Sequence, residues 1–186
     1  MDLKEILCQP NVPKPLHGLN PRTILGATWW DEQRQIAYAK YKYTCIGCGV
    51  HKSKAKEFKW LEAHESYIYD YIIGKATIDT IEPLCHYCHS FIHSGRLSMI
   101  IGKEKTLQQA KDILQHGFDT LKGTGLQVFP GTMDFAHNIG VKTYDVDAYE
   151  IPLSIVPWED WRLIIDKKEY KPIYPTMDSW SKKFKL

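Results

Sequence analysis

The sequence predicts an α+β fold, and three observations point to it. Two Cys-x-x-Cys pairs, Cys45/Cys48 and Cys85/Cys88, bracket two stretches that alternate like strands. His89 and His93 follow the second pair at the i, i+4 spacing that shares one helix face. Beyond them, Leu107, Ala110, Leu114, Phe118 and Leu121 repeat at helical period.

Element by element, residues 1–27 carry Pro10, Pro13, Pro15, Gly18, Pro21 and Gly26 and read as an extended arm. Thr28, with Asp31 three residues on, predicts the cap of a helix reaching about Lys42. Its buried side would be Trp29, Trp30, Ile36, Ala37 and Ala39. The first strand is expected over 57–63, where Glu-Phe-Lys-Trp-Leu-Glu-Ala alternates, and the second over Thr77–Leu84. A long connection holding Tyr67, Tyr69 and Tyr71 would join them, packing in a core or hairpin more readily than lining a groove. A short helix should start near Cys85, run through His93 and stop by Gly95. Thr106 and Gln109 form a capping-box signal for a helix over 106–122. Residues 124–157 read as mostly irregular, and a β-hairpin is expected at about 160–171, turning at Asp166–Glu169. Trp158, Trp161 and Trp180 are expected to build a C-terminal core. The organisation along the chain is then an arm and helix (1–42), a metal-bearing core (43–104) and a C-terminal extension (105–186).

Composition narrows the class. The chain has 186 residues, 44% hydrophobic and 25% charged, as in an ordinary globular protein. No run of about 18 apolar residues suggests a membrane span, and the Met1–Glu5 start lacks a secretory pattern, so a cytoplasmic location is expected. The net charge of +2 says little, but its distribution says more. Six lysines face Glu57 alone between residues 40 and 59, and six face Glu169 and Asp178 in the last twenty. Residues 104–150 hold seven acids against four bases. Basic ends around an acidic middle suit a chain that meets a phosphate backbone on one side, although lysine runs by themselves are more readily read as solvated faces.

Two Cys-x-x-Cys turns can deliver four thiolates to one point, the donor set of a structural zinc ion. Cys45, Cys48, Cys85 and Cys88 are its expected ligands; Cys8 is left over as a plain thiol. The helical pair His89/His93 suits two imidazoles on a second ion, and His64 at the end of the first expected strand could supply a third. Structural zinc and a second, chemically different metal ion are the cofactors implied.

Cys45-x-x-Cys48, His64-Glu65 and the run Leu84-Cys-His-Tyr-Cys-His-Ser-Phe-Ile-His93 together resemble the HNH nuclease family over about residues 43–96. Pro15–Arg22, leading to Gly26 and Trp29-Trp30-Asp31, also resembles an arm found in a bacterial and phage branch of that family. The resemblance implies a ββα-metal core clamped by four-cysteine zinc, and metal-dependent hydrolysis of DNA in a bacterial, possibly phage-encoded, setting. It gives His64, His89 and His93 the positions that bind a catalytic divalent ion (Mg²⁺, Mn²⁺ or another). The histidine general base of the family is replaced by Glu65, and its asparagine falls near Thr80. In another register His64 is the base and Glu65 a ligand. Arg96 and Lys103, with Lys52, Lys54 and Lys56, are the expected contacts to double-stranded DNA. A monomer would nick, and a homodimer could break both strands. Glu65 and Thr80 motivate the alternatives, a catalytically degenerate zinc module that binds DNA or a protein-interaction module.

Overall fold

The structure is a computed structural model that describes residues 3–151 and 154–184. Met1, Asp2, Pro152, Leu153, Lys185 and Leu186 lie outside it, and with them the first residues of the arm and the end of the lysine-rich tail. The elements run α1 (Pro21–Leu25), α2 (Ala27–Lys40), β1 (Glu62–Asp70), β2 (Lys75–Leu84), α3 (His86–Ile92), α4 (Ser94–Ile100), α5 (Leu107–Leu121), α6 (Pro130–Asn138), β3 (Arg162–Ile165), β4 (Lys168–Tyr170) and α7 (Met177–Phe184). The fold is mixed α+β with a four-stranded sheet in the order β1-β2-β3-β4. No described helix is long and apolar enough to cross a membrane.

Contacts divide the chain into two compact units. The first comprises residues 1–11, 36–64 and 82–151, and the second residues 12–35, 65–81 and 152–186. In the first unit the core gathers Leu7, Leu84, Phe91, Ile113, Leu114 and Phe118, all nearly inaccessible. α3 and α5 pack there through Phe91 against Phe118, ring centroids 5.4 Å apart and edge to face. Gly117 makes that approach available, because a Cβ in its place would lie 2.1 Å from the Phe91 ring. The capping box of α5 forms as its sequence implies, with Thr106 and Gln109 each satisfying the other's backbone N–H. Leu107 departs from the expected buried face and is exposed.

The second unit packs Leu16, Ala76, Trp161, Leu163 and Ile165. β2 and β3 pair in parallel from Lys75↔Arg162 to Thr77↔Ile164, and β3 and β4 form the expected hairpin. Its turn places Asp166 and Lys167 at φ 49° and 64°. Trp180 is buried on α7.

Several expectations are corrected. The first strand is not at 57–63 but at Glu62–Asp70. Glu57 has φ 63°, and Phe58 stacks face to face on Trp60, so their alternation reflects a ring pair in a loop. β2 begins two residues early, leaving a tight turn at 71–74 held by Asp70 Oδ1, which accepts from the Ile72 and Ile73 amides. Tyr67 and Tyr69 therefore lie within β1, and with Tyr71 they pack against the second core. The arm is not extended: Leu3–Cys8 and Lys14–Leu16 are 3₁₀ turns, anchored by Leu7 and Leu16, and α1 follows. Asn20, not Thr28, is the capping residue in this region, and α2 already starts at Ala27. Ile36 and Ala39 are exposed, whereas Ala37 and Tyr38 are buried. α3 starts after Cys85 and stops before Gly95 as expected, but after the break at His93 (φ −88°, ψ 41°) a further helix, α4, follows that was not expected. α6, within 124–157, was not expected, and neither was α7.

Candidate metal centres

Both clusters described here lie in the first unit. The turn after Cys45 is closed by its carbonyl accepting from the Gly49 amide, with Gly49 at φ 73°. The Ile46 amide donates to the Pro83 carbonyl at 3.0 Å, tying this turn to the end of β2. Cys85 is the N-cap of α3, and Cys88 lies in its first turn. The four sulfurs all lie within 4.8 Å of one another, with Cys48 and Cys85 at 3.7 Å. An ion bonded tetrahedrally to sulfur at about 2.3 Å separates its ligands by about 3.8 Å, so the four cysteines can hold a metal such as zinc. Crowding sets their proton affinities. Cys45 is pulled far down by hydrogen bonds from Cys48, Cys85 and Cys88, while Cys88 is pushed up by Cys45, then by Cys48 and Cys85, and by burial. Four negative charges cannot share this space without a cation. His116 on α5 approaches Cys88 Sγ at 3.5 Å, a partner the sequence reading missed.

The second cluster unites His64 of β1 with His89 and His93 of α3 and its C-cap. Their donor nitrogens lie within 4.8 Å of one another. Ring centroids are 5.4 Å (His64–His89), 5.1 Å (His64–His93) and 4.7 Å (His89–His93) apart. His64 is 4% exposed, and neither of its ring nitrogens has a hydrogen-bond partner. A buried polar group left so costs on the order of 1–3 kcal/mol, and an ion about 2.1 Å from one His64 nitrogen would satisfy the lone pair there. Burial, then the neighbouring His93 and His89, presses His64 well below the ordinary histidine range. Burial, with His89 and Arg96, brings His93 to about 3. Both are therefore neutral near pH 7, the form that donates a lone pair.

Glu62, absent from the expected site, organises it. Its carboxylate accepts from His86 Nδ1 at 2.8 Å and from His89 Nδ1. A carboxylate only accepts, so both Nδ1 atoms carry the proton and the Nε2 of His89 is left as the donor to an ion. Burial alone would raise Glu62, but these two bonds hold it well below the usual carboxylate range. The signal was present in the sequence as Glu62-x-His64, two same-face residues of a strand.

No family model matches the chain, and no curated protein or solved structure shows a significant match. The geometry therefore carries the functional argument.

The remaining expected residues are placed as follows. Glu65 follows His64 on β1 and so faces the other side, where its charge, added to burial, raises the Tyr67 hydroxyl. The Thr80 hydroxyl lies 2.7 Å from that of Ser66. Arg96 is exposed, pairs with Glu104 at 3.3 Å and lines a cavity of about 590 Å³ that also reaches Phe58, His86, His89 and His93. Lys103 is exposed in the turn after α4. Lys52 lies over Tyr43, Lys56 over Tyr87, and Lys54 is exposed.

Proposed function

We propose that the chain is a metal-dependent DNA endonuclease of the HNH kind, with β1, β2 and α3 as its ββα-metal core and nicking as its basic reaction. The observation that carries this reading is the convergence of His64, His89 and His93, with both His64 nitrogens unpartnered, on the helix that also presents Cys85 and Cys88. In this reading the four thiolates hold structural zinc and the three imidazoles hold the working ion. When bound there, a divalent ion supplies Lewis-acid stabilisation of a phosphodiester and acidifies a water. The chain's own residues do the rest. Glu62 fixes the orientation of His89, and Arg96 and Lys105, paired at the cavity with Glu104 and Glu57, are the cations that would exchange those partners for phosphate. Burial keeps His64 and His93 neutral. The position of Glu65 beside Tyr67 favours His64 as ligand over the register that exchanges their roles. An all-nitrogen donor set suits Mn²⁺, Co²⁺, Ni²⁺ or Zn²⁺ better than Mg²⁺, which prefers oxygen.

A second reading is a zinc-clamped DNA-binding module without catalysis. It is favoured by Glu65 and Thr80, whose side chains are engaged with Tyr67 and Ser66. Conversion of supercoiled plasmid, run with each metal beside a His89→Ala/His93→Ala variant, separates the two. Metal-dependent open-circle product absent in the variant is the expected result. No conversion with any metal, or equal conversion by the variant, would end the nuclease reading.

A further inference from the structure

We infer that the exposed face of Trp60 is a stacking platform for an unpaired base, so that the nucleic acid read here is single-stranded or locally opened rather than intact duplex. The inference rests on the phosphodiesterase reading above and narrows its substrate class.

The segment Lys52-Ser-Lys-Ala-Lys-Glu-Phe-Lys-Trp60 interleaves lysines with two aromatic rings. It is a pinned loop: Ala55 is fully buried, Lys59 Nζ donates to the Ala55 carbonyl at 2.8 Å, and the Phe58 amide donates to the Lys56 carbonyl at 2.8 Å. Phe58 and Trp60 stack with centroids 4.4 Å apart and planes 12° from parallel. One face of the indole is thus covered, yet Trp60 remains 55% exposed, whereas Trp161 and Trp180 are 4% and 5% exposed. Phe58 in turn sets its edge on His86, centroids 4.7 Å apart, and forms part of the wall of the cavity that reaches His89 and His93. The rings of Trp60, Phe58 and His86 therefore run inward from solvent to Glu62, whose carboxylate bonds both His86 and His89.

Charge selects the occupant. Glu57 is the one acid of the segment and is paired with Lys105, while Lys54 and Lys56 are exposed. The loop thus presents cations beside an open aromatic face, a combination suited to a polyanion carrying flat bases. In a duplex the bases are already stacked and paired, and their faces cannot meet an indole unless the strand opens. An unpaired base has a free face, and each such contact on an aromatic side chain is worth roughly a five- to 150-fold change in affinity.

The test uses the full chain carrying its zinc, without further metal, in fluorescence anisotropy against a labelled oligo-dT strand and a labelled mixed-sequence duplex. Expected are tighter binding of the single strand, a loss of about tenfold or more in Trp60→Ala on that strand alone, and a smaller loss in Trp60→Phe, which keeps a ring. Circular dichroism checks that both variants fold. Equal affinity for the two DNAs, an equal loss on both, or no loss would overturn the platform. Plasmid nicking that persists in that case would leave the nuclease reading standing. Strand-selective loss without metal-dependent cleavage would retain the platform and remove the nuclease.

Discussion

Gly117→Ala is a mutation whose outcome opposes helix propensity. Within a helix, alanine is favoured over glycine by about 1 kcal/mol. Here the added methyl would sit 2.1, 2.3 and 2.4 Å from three atoms of the Phe91 ring, where carbon contacts ordinarily relax to about 3.5–4.0 Å. The ring must retreat by more than 1 Å, but it is fully buried and held edge-on by Phe118. Overpacking of this kind costs about 1–3 kcal/mol and sometimes more, and the depth of this clash puts it at the upper end. We expect a net destabilisation of about 2 kcal/mol, or a fall in Tm of about 4–8 °C for a chain of this size. Urea and thermal denaturation measure it. In the double variant with Phe91→Leu, which makes room, the two changes should be coupled by about 1 kcal/mol or more. A Gly117→Ala chain that melts at or above the wild-type temperature would refute the packing argument.

Three further outcomes are expected. Stripping metal with a chelator, or replacing Cys88 by Ser, should abolish the cooperative melting of the first unit, because a site of this kind contributes on the order of 10 kcal/mol; an unchanged transition in metal-free protein would contradict it. Glu62→Ala should weaken cobalt binding at the histidines by about 10- to 100-fold with Glu62→Gln less affected, read from the visible spectrum of Co²⁺ titrated into zinc-loaded protein; equal affinity in all three would show that Glu62 orients nothing. The folded-state values of His64 and His93 lie below the unfolded 6.5, so between about 3 and 6.5 the unfolded chain binds more protons. Stability of protein without an ion at the histidines is then complete above pH 6.5 and lost as pH falls toward 3. Denaturant midpoints across that range should drop, and a flat profile would count against buried neutral histidines.

Local chemistry made some of this molecule legible in advance. Cysteines with two residues between them must turn back to share one point, and Thr106 with Gln109 satisfies backbone amides without help from elsewhere, so both were readable from spacing. The i, i+4 histidines share a helix face for the same reason. What failed was decided by partners distant in sequence. Phe58 and Trp60 alternate like strand residues, yet their rings pair with each other. Ile36 sits at a helical position that should be apolar inward, but the neighbouring Tyr38 takes the buried place and donates its hydroxyl to the Leu61 carbonyl at 2.9 Å. The parallel β2–β3 pairing joins segments more than eighty residues apart, and no local pattern encodes it. His116 acquired its role through packing, since it belongs to no spaced motif with Cys88, and Glu62 showed in advance only the strand face it shares with His64, not its bonds to His86 and His89.

α3 is only seven residues long, yet it carries Cys88 and His89 side by side, with Cys85 and His93 as its two caps. Ions in both clusters would share this one short helix, and thermodynamic reciprocity would govern any coupling between them. Whatever factor a filled thiolate cluster adds to affinity at the imidazoles, a filled imidazole cluster must return to the thiolates. With positive coupling, scarcity of either metal would loosen the grip on the other, and full occupancy of both would arise over a narrower range of supply than either cluster would show alone.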